Sequence, residues 1–170
     1  MASRVLVSSC LLGEKVRYHG GSALIEHPVL RRWLSEGRVV PFCPEVAGGL
    51  ATPRPPAEIA GGRDGLRVLR GEAAVTTRDG EDVTAAFVSG AVQAVATARQ
   101  HGIRVALLKE ASPSCGTGFI YDGSFTGQRA AGRGVAAAAL AEAGVRIFNE
   151  TQLAEADALL AALDKGAKAS

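Results

Sequence analysis

The feature that most constrains the fold is a regular alternation of short apolar runs with helical segments. The apolar runs, predicted as strands, are residues 5–9, 39–42, 105–108 and 145–148. The segments between and after them, predicted as helices, are residues 27–36, 82–100, 135–142 and 152–164. Strands that alternate with helices in this way favour βαβ units. We therefore predict an α/β fold with a mostly parallel, Rossmann-like sheet flanked by helices.

Two glycine-rich stretches interrupt this alternation. Residues 44–65 contain four prolines and five glycines, and residues 112–133 contain five glycines. Because such composition is unsuited to the interior of a regular element, we predict a long loop in each place. Loops this long in a compact protein are usually functional or disordered. Between them, residues 66–69 and 72–75 are predicted to form a small β-hairpin insertion.

The overall composition limits the class of protein. A length of 170 residues with 47% hydrophobic residues predicts a single domain, residues 1–170, with a sizeable core. The net charge of +2 is too balanced for nonspecific binding of nucleic acid, so we expect no DNA partner. No apolar run approaches the roughly 18–20 residues that span a bilayer, and no signal peptide is apparent. We therefore expect a cytoplasmic protein. Disulfide bonds are uncommon in the cytoplasm.

Each of the three cysteines follows a predicted strand. Cys10 follows residues 5–9, Cys43 follows residues 39–42, and Cys115 lies in the loop after residues 105–108. Because parallel strands end at one edge of the sheet, where α/β proteins bind ligands, we expect the three thiols to converge. A lone buried cysteine often only packs, but these three stand beside Ser, Pro or Gly. The set suits a metal centre with one open position.

The residues alone leave the metal undecided. Without a Cys-x-x-Cys motif, zinc ribbons and thioredoxin-type pairs are disfavoured, and zinc would need a fourth ligand from His19, His27, His101 or a carboxylate. A [4Fe-4S] cluster normally takes four cysteines, so three would leave one iron open as a Lewis acid. A thiol-dependent hydrolase or transferase is a further alternative, although no Cys–His pairing is apparent. A non-enzymatic metal- or sulfide-binding module is another.

Two of the cysteine segments also carry polar groups close to the thiols. Glu45 follows Cys43 by two residues, and the second segment contains Ser112 and Ser114 just before Cys115. A carboxylate near a metal centre is a candidate acid or base. The ordinary alternatives are that Glu45 caps a turn and that the serines form turn hydrogen bonds.

Motifs along nearly the whole chain resemble those of the thiouracil desulfidase family. The matching segments are VSSCLLG at 7–13, VRY at 16–18, CPEVAGGL at 43–50, PRPPAEI at 53–59, DVT at 82–84, LKE at 108–110, SPSCG at 112–116 and IYDG at 120–123. His19 and Ala111 depart from the family pattern, and neither is one of the three cysteines. The motifs occur in order, so the resemblance is specific.

This resemblance implies a cofactor and a reaction. It implies a [4Fe-4S] cluster held by Cys10, Cys43 and Cys115. It also implies non-redox removal of sulfur from a small thiolated pyrimidine such as 2-thiouracil, which yields uracil and sulfide. The family's essential carboxylate matches Glu45, and its catalytic serine best matches Ser112.

The remaining site residues follow from the same resemblance. We expect Ser114 and the backbone amides near Gly48, Gly49 and Gly116 to surround the substrate and the cluster. Glycine lets the backbone approach a ligand closely, which suits this role.

Overall fold

The computed structural model describes residues 2–169 of the chain. The strands are β1 (Val5–Ser8), β2 (Val39–Phe42), β3 (Ala57–Ile59), β4 (Val75–Thr77), β5 (Val105–Leu108), β6 (Phe119–Tyr121), β7 (Arg129–Ala131) and β8 (Arg146–Asn149). The helices are α1 (Pro28–Ser35), α2 (Pro44–Ala47), α3 (Gly65–Leu69), α4 (Thr84–Gln100), α5 (Val135–Glu142) and α6 (Leu153–Ala169). Within residues 2–169, we find no helix with the length and apolar character needed to cross a membrane.

Four parallel strands form the central sheet, in the order β2-β1-β5-β8. Val5 lies opposite both Val39 and Val105, so the first three apolar runs start and end at the same level. β1 and β5 are buried along their whole length because helices cover both faces of the sheet. The predicted α/β fold with a parallel sheet is confirmed.

Alternate residues of β1 divide the core into two layers. Val5 and Val7 face α1 and α6, where they pack with the buried Trp33. Leu6 faces the opposite layer and packs in the same cluster as Phe87 of α4. This alternation follows from the two-residue repeat of a strand and explains why every residue of β1 is apolar or small.

The strand order places a crevice at the carboxyl edge of the sheet. The chain passes from β1 to β2 on one side and returns to β5 on the other side of β1. Connections that leave neighbouring strands in opposite directions open a gap where α/β proteins bind ligands. The segments that carry Cys10 and Cys115 follow β1 and β5, the two strands beside this gap, and Cys43 follows the adjacent β2.

The predicted hairpin at residues 66–75 is wrong. Residues 65–69 form helix α3, which begins where the Asp64 carboxylate accepts the Arg67 N–H at 3.2 Å, a helix cap. Strand β4 instead pairs antiparallel with β3, with Ala57 opposite Thr77. The strand partner therefore comes from the segment predicted as a long loop.

The two predicted loops also contain regular structure. Residues 44–65 include α2 and β3, and residues 112–133 include the antiparallel pair of β6 and β7. Each of these strands has only three residues, which is too short to show an apolar alternation. Their pairing depends on residues far away in the sequence rather than on a local pattern.

Candidate functional site

A cavity of about 400 Å³ opens at the carboxyl edge of the sheet. Cys10, Cys43 and Cys115, which we call the thiol cluster, all line this cavity. The other predicted site residues that line it are Glu45, Ser112 and Ser114. Its size falls in the range of roughly 300–1,000 Å³ that is typical of small-molecule sites. The structure thus brings together six residues from three separate segments of the chain.

Backbone hydrogen bonds fix the first cysteine directly after β1. Cys10 lies in a 3-10 turn, and its carbonyl oxygen accepts the N–H of Gly13 at 3.2 Å and of Ala23 at 3.0 Å. Gly13 ends the turn with a φ of +93°, a conformation that side chains other than glycine rarely adopt. The buried thiol of Cys10 is therefore held by the turn and by the loop that contains Ala23.

The second cysteine is held by the close packing of α2 against α4. Pro44 keeps Cys43 extended, and the chain then turns into α2. A Cβ atom on Gly90 would lie 2.0 Å from the carbonyl oxygen of Pro44, and one on Gly48 would lie 2.0 Å from that of Ala86. Gly48 thus has a packing role, whereas the sequence predicted contact with substrate. Gly48 and Gly49 are not among the described residues that line the cavity.

The third cysteine lies in a tight turn that is closed by hydrogen bonds to Ser112. Ser112 Oγ accepts the backbone N–H groups of Ser114 and Cys115, each at 3.2 Å. The N–H of Gly116 donates to the carbonyl oxygen of Ser112 at 2.8 Å. A Cβ on Gly116 would lie 2.7 Å from the carbonyl oxygen of Phe119, so this glycine is required for packing. Gly116 is also not among the described residues of the cavity lining.

Burial raises the pKa of all three thiols. Burial raises the pKa of Cys115 to about 12, with the nearby thiols of Cys10 and Cys43 adding to the increase. Burial and the neighbouring Cys43 raise the pKa of Cys10 to about 11. Burial also raises the pKa of Cys43, although the Val46 N–H partly offsets the effect. Nucleophilic cysteines have lowered pKa values, so this environment disfavours the thiol-dependent alternative.

The donor set fits a polynuclear cluster better than a single ion. Among the described residues, no group of three or more His, Cys, Asp or Glu side chains is placed to hold one metal ion. The histidines considered as zinc ligands bond elsewhere: His19 and His27 accept the N–H groups of Gly21 and Val29, and His101 contacts Arg4. Three thiols that face one cavity suit a larger metal group, which would deprotonate its sulfur ligands on binding.

A buried arginine orients the carboxylate of Glu45. Arg54 Nε and Nη2 each lie 3.1 Å from Glu45 Oε1, and the two side chains are only 8% and 14% exposed. Arg54 also donates to the carbonyl oxygens of Val16 and Ala51, at 2.8 and 3.1 Å. The guanidinium therefore joins three segments around the cavity and leaves Glu45 Oε2 for other partners.

The two serines connect to that second carboxylate oxygen. Ser114 Oγ donates to Glu45 Oε2 at 2.8 Å, and Ser112 Oγ lies 2.9 Å from Ser114 Oγ. Because Ser112 Oγ already accepts two backbone N–H groups, its own proton points to Ser114 Oγ in the most favourable arrangement. The hydroxyl groups of Ser112 and Ser114 thus form a hydrogen-bonded chain that ends at Glu45.

Glu110, to which the sequence assigned no role, organises the loop of Cys115. Its carboxylate accepts the N–H groups of Thr117, Gly118 and Ala111 at 2.7, 3.1 and 3.2 Å. The hydroxyl group of Thr117 and Asn149 Nδ2 are two further donors, each at 2.8 Å. Burial alone would raise the pKa of Glu110, but the donors hold it below its usual range. A carboxylate directly before a glycine-rich loop is the only sequence signal for this role.

A second part of the cavity lining comes from the antiparallel strand pairs and the turns next to them. We call its residues the antiparallel wall: Ala57, Glu58, Arg78, Tyr121 and Phe125. They lie on β3 and β6, directly after β4 and between β6 and β7. Sequence reasoning missed this wall because it predicted loops in both regions.

Comparison with known proteins identifies close relatives. The model of the family described as 2-thiouracil desulfurase matches residues 5–152. The uncharacterized protein YbbK of Bacillus subtilis (strain 168) is 47% identical over 149 residues, which cover 88% of this chain and 97% of YbbK. A solved structure, described as [4Fe-4S]-dependent thiouracil desulfidase TudS, is 48% identical with a TM-score of 0.85. The match to TudS covers 94% of this chain and 98% of that one.

Proposed function

The chain belongs to the 2-thiouracil desulfurase family, and from this premise we propose that it removes sulfur from thiolated pyrimidines such as 2-thiouracil. Water replaces the sulfur of the thiocarbonyl group, so the products are uracil and sulfide and no electrons are transferred. The observation that carries the proposal is the convergence of the thiol cluster with Glu45, Ser112 and Ser114 on one cavity.

The thiol cluster is the proposed binding site of a [4Fe-4S] cofactor. Cys10, Cys43 and Cys115 would supply three of the four ligands that such a cluster requires, and the chain has no other cysteine. When bound, the cofactor supplies an iron with an open position that acts as a Lewis acid toward a thiocarbonyl sulfur. The [4Fe-4S] dependence of TudS supports this assignment.

Glu45 is the proposed group that moves protons in the reaction. Two nitrogens of Arg54 hold Glu45 Oε1, so proton exchange takes place at Oε2. At that oxygen the carboxylate accepts a proton from the attacking water and returns one as sulfide departs. A positioned carboxylate in this role contributes about 10²- to 10⁴-fold to the rate.

Ser112 and Ser114 hold the second oxygen of that carboxylate in place. The chain from Ser112 Oγ through Ser114 Oγ to Glu45 Oε2 consists of two hydrogen bonds, of 2.9 and 2.8 Å. Ser112 Oγ accepts two backbone N–H groups and donates its own proton to Ser114 Oγ. In this proposal Ser112 positions Ser114, and Ser114 fixes Glu45 Oε2 at the cavity.

Anaerobic purification followed by turnover tests the proposal. We expect a coloured protein with about four irons per chain, which converts 2-thiouracil into equal amounts of uracil and sulfide without a reductant. The assay measures sulfide colorimetrically and uracil by chromatography. A colourless protein that holds stoichiometric zinc, or an iron-loaded protein that releases no sulfide, would overturn it.

A further inference from the structure

Phe125 is one of two non-glycine residues in the cavity lining that have a positive φ, the other being Ala111. Phe125 has a φ of +58°, in the left-handed region that bulky side chains rarely adopt. Such a conformation is strained and persists only where surrounding contacts impose it. Phe125 is half-buried and lines the same cavity as the thiol cluster. The chain thus accepts strain at a position that brings an aromatic ring into the candidate site.

The carboxylate of Glu58 imposes this conformation. Glu58 Oε1 accepts the N–H of Phe125 at 3.1 Å and the N–H of Gly123 at 2.9 Å. The turn also lies directly on the end of β3, because a Cβ on Gly123 would lie 2.5 Å from the carbonyl oxygen of Ile59. Glu58 is itself held in register by the pairing of β3 with β4. The position of the ring is therefore determined by two hydrogen bonds and a close backbone contact.

The surroundings of the ring indicate what it binds. Arg78 places its guanidinium 5.8 Å from the centre of the Phe125 ring and also lines the cavity. Tyr121 adds a second aromatic ring to the same lining. An aromatic side chain beside a cation is suited to bind a planar, nitrogen-containing ring by stacking against its face. The bound ring needs no charge for this contact.

We propose that Phe125 stacks on the pyrimidine ring of the substrate and that Glu58 acts through Phe125 as a positioning residue. This inference rests on the proposed function, because the ring that we place against the antiparallel wall is that of the thiolated substrate, whose sulfur faces the thiol cluster. The two sides of the cavity then have separate tasks. The antiparallel wall binds and orients the ring, and the thiol side carries the reaction.

Equilibrium binding of uracil to the iron-loaded protein tests the stacking directly. Uracil has the ring but no sulfur, so its binding is measured by calorimetry without turnover. Phe125→Ala should weaken uracil binding by about 10- to 100-fold, the usual effect of losing one stacking partner. Phe125→Tyr keeps a ring and should bind uracil about as the unmodified protein does. Phe125→Ala should also raise KM for 2-thiouracil by a similar factor with little change in kcat, and Phe125→Tyr should leave KM unchanged.

Phe119 provides a matched control. It lies on β6 with the guanidinium of Arg129 at 4.2 Å from its ring centre, but it is not among the described residues of the cavity lining. Phe119→Ala therefore removes a similar cation-contacted ring outside the site and should leave uracil binding unchanged. Unchanged uracil binding in Phe125→Ala, or equal losses in both variants, would overturn the proposal.

The role of Glu58 is tested by a double-mutant cycle. Glu58→Ala should weaken uracil binding, and the double variant with Phe125→Ala should bind no more weakly than Phe125→Ala alone. Additive losses would show that Glu58 does not act through the ring. Uracil binding is measured without turnover, so it tests the stacking separately from the reaction. A protein that releases no sulfide would overturn the proposed function, whereas the binding data decide whether Phe125 stacks on the ring.

Discussion

The two sides of the cavity are built from different kinds of backbone. The thiol side consists of segments that follow parallel strands of the central sheet, of which β1 and β5 are buried along their whole length. The antiparallel wall consists of three-residue strands and the turns next to them. A strand end in a packed sheet holds a ligand within a small distance range, which suits metal coordination. Turns that rest on short strand pairs can change in sequence without disturbing the sheet, which suits recognition of a substrate.

Both sides nevertheless use a carboxylate to hold a turn. On the thiol side, Glu110 accepts three backbone N–H groups and one side-chain amide. On the wall, Glu58 accepts two backbone N–H groups. In each case the carboxylate satisfies N–H groups that have no strand or helix partner, so the turn keeps one conformation. The comparison predicts that variants on the thiol side alter chemistry and that variants on the wall alter binding.

The largest effect is expected for Cys43→Ser. This change removes one of three sulfur donors with almost no change in volume, so iron content and sulfide release should both fall to background. Phe125→Ala should retain its full iron content, because it lies on the wall. The measurement is iron and acid-labile sulfide per chain after anaerobic reconstitution. Full iron loading of Cys43→Ser would mean that the cavity holds its metal by other groups.

Glu45→Gln should separate chemistry from cofactor binding. The amide oxygen can still accept the hydrogen bonds of Arg54, and the amide NH2 group can donate to Ser114 Oγ, but the group cannot exchange a proton. We expect full iron content and a kcat that is lower by about 10²- to 10⁴-fold, with little change in KM. Steady-state rates of uracil formation check this. An effect on KM alone would assign Glu45 to substrate binding and erase the contrast with Phe125.

Arg54→Ala should have the third largest effect, and it acts on stability as well as rate. Removing one partner of a buried ion pair leaves the other charge unpaired, at a cost of about 3 kcal/mol in the free energy of unfolding. The control is Arg67→Ala, whose pair with Glu72 is 58% and 45% exposed and should contribute less than about 1 kcal/mol. Urea denaturation measures both. Equal stability losses in the two variants would contradict the buried pair.

The smallest effects concern the two turn-holding carboxylates. Glu110→Gln should lower the free energy of unfolding by about 1 kcal/mol once solvent screening is allowed for, and Glu58→Gln by less, because Glu58 holds fewer donors. Urea denaturation near neutral pH measures both changes. A larger loss of unfolding free energy in Glu58→Gln than in Glu110→Gln would contradict the expectation that Glu110 stabilises its turn more.

The contribution of Glu110 should also depend on pH. Its pKa is lowered in the folded protein, so its stabilisation is complete above the unfolded value of about 4.3 and is lost as the pH falls through the folded pKa. The unmodified protein and Glu110→Gln should therefore converge in stability at low pH. Denaturation measured across the acid range checks this. A stability difference that stays constant with pH would contradict an ionised role for Glu110.

Sequence patterns predicted the fold wherever an element depends on adjacent residues. The predicted bounds of β2 and α5 agree with the structure, because a continuous apolar or alanine-rich run defines each of them. The hairpin predicted at residues 66–75 failed, because β4 pairs with a strand on the far side of α3. A three-residue strand carries too little pattern to reveal a distant partner.

The sequence by itself determined the positions of the three cysteines after strands, and with them the edge of the sheet at which the site lies. Cys10, Cys43 and Cys115 could be placed there because parallel strands end together. Only the tertiary structure decided that Arg54 meets Glu45 and that Phe125 enters the cavity. Arg54 and Glu45 lie in one predicted loop and Phe125 lies in the other, and the packing of whole elements sets how these segments meet at the cavity.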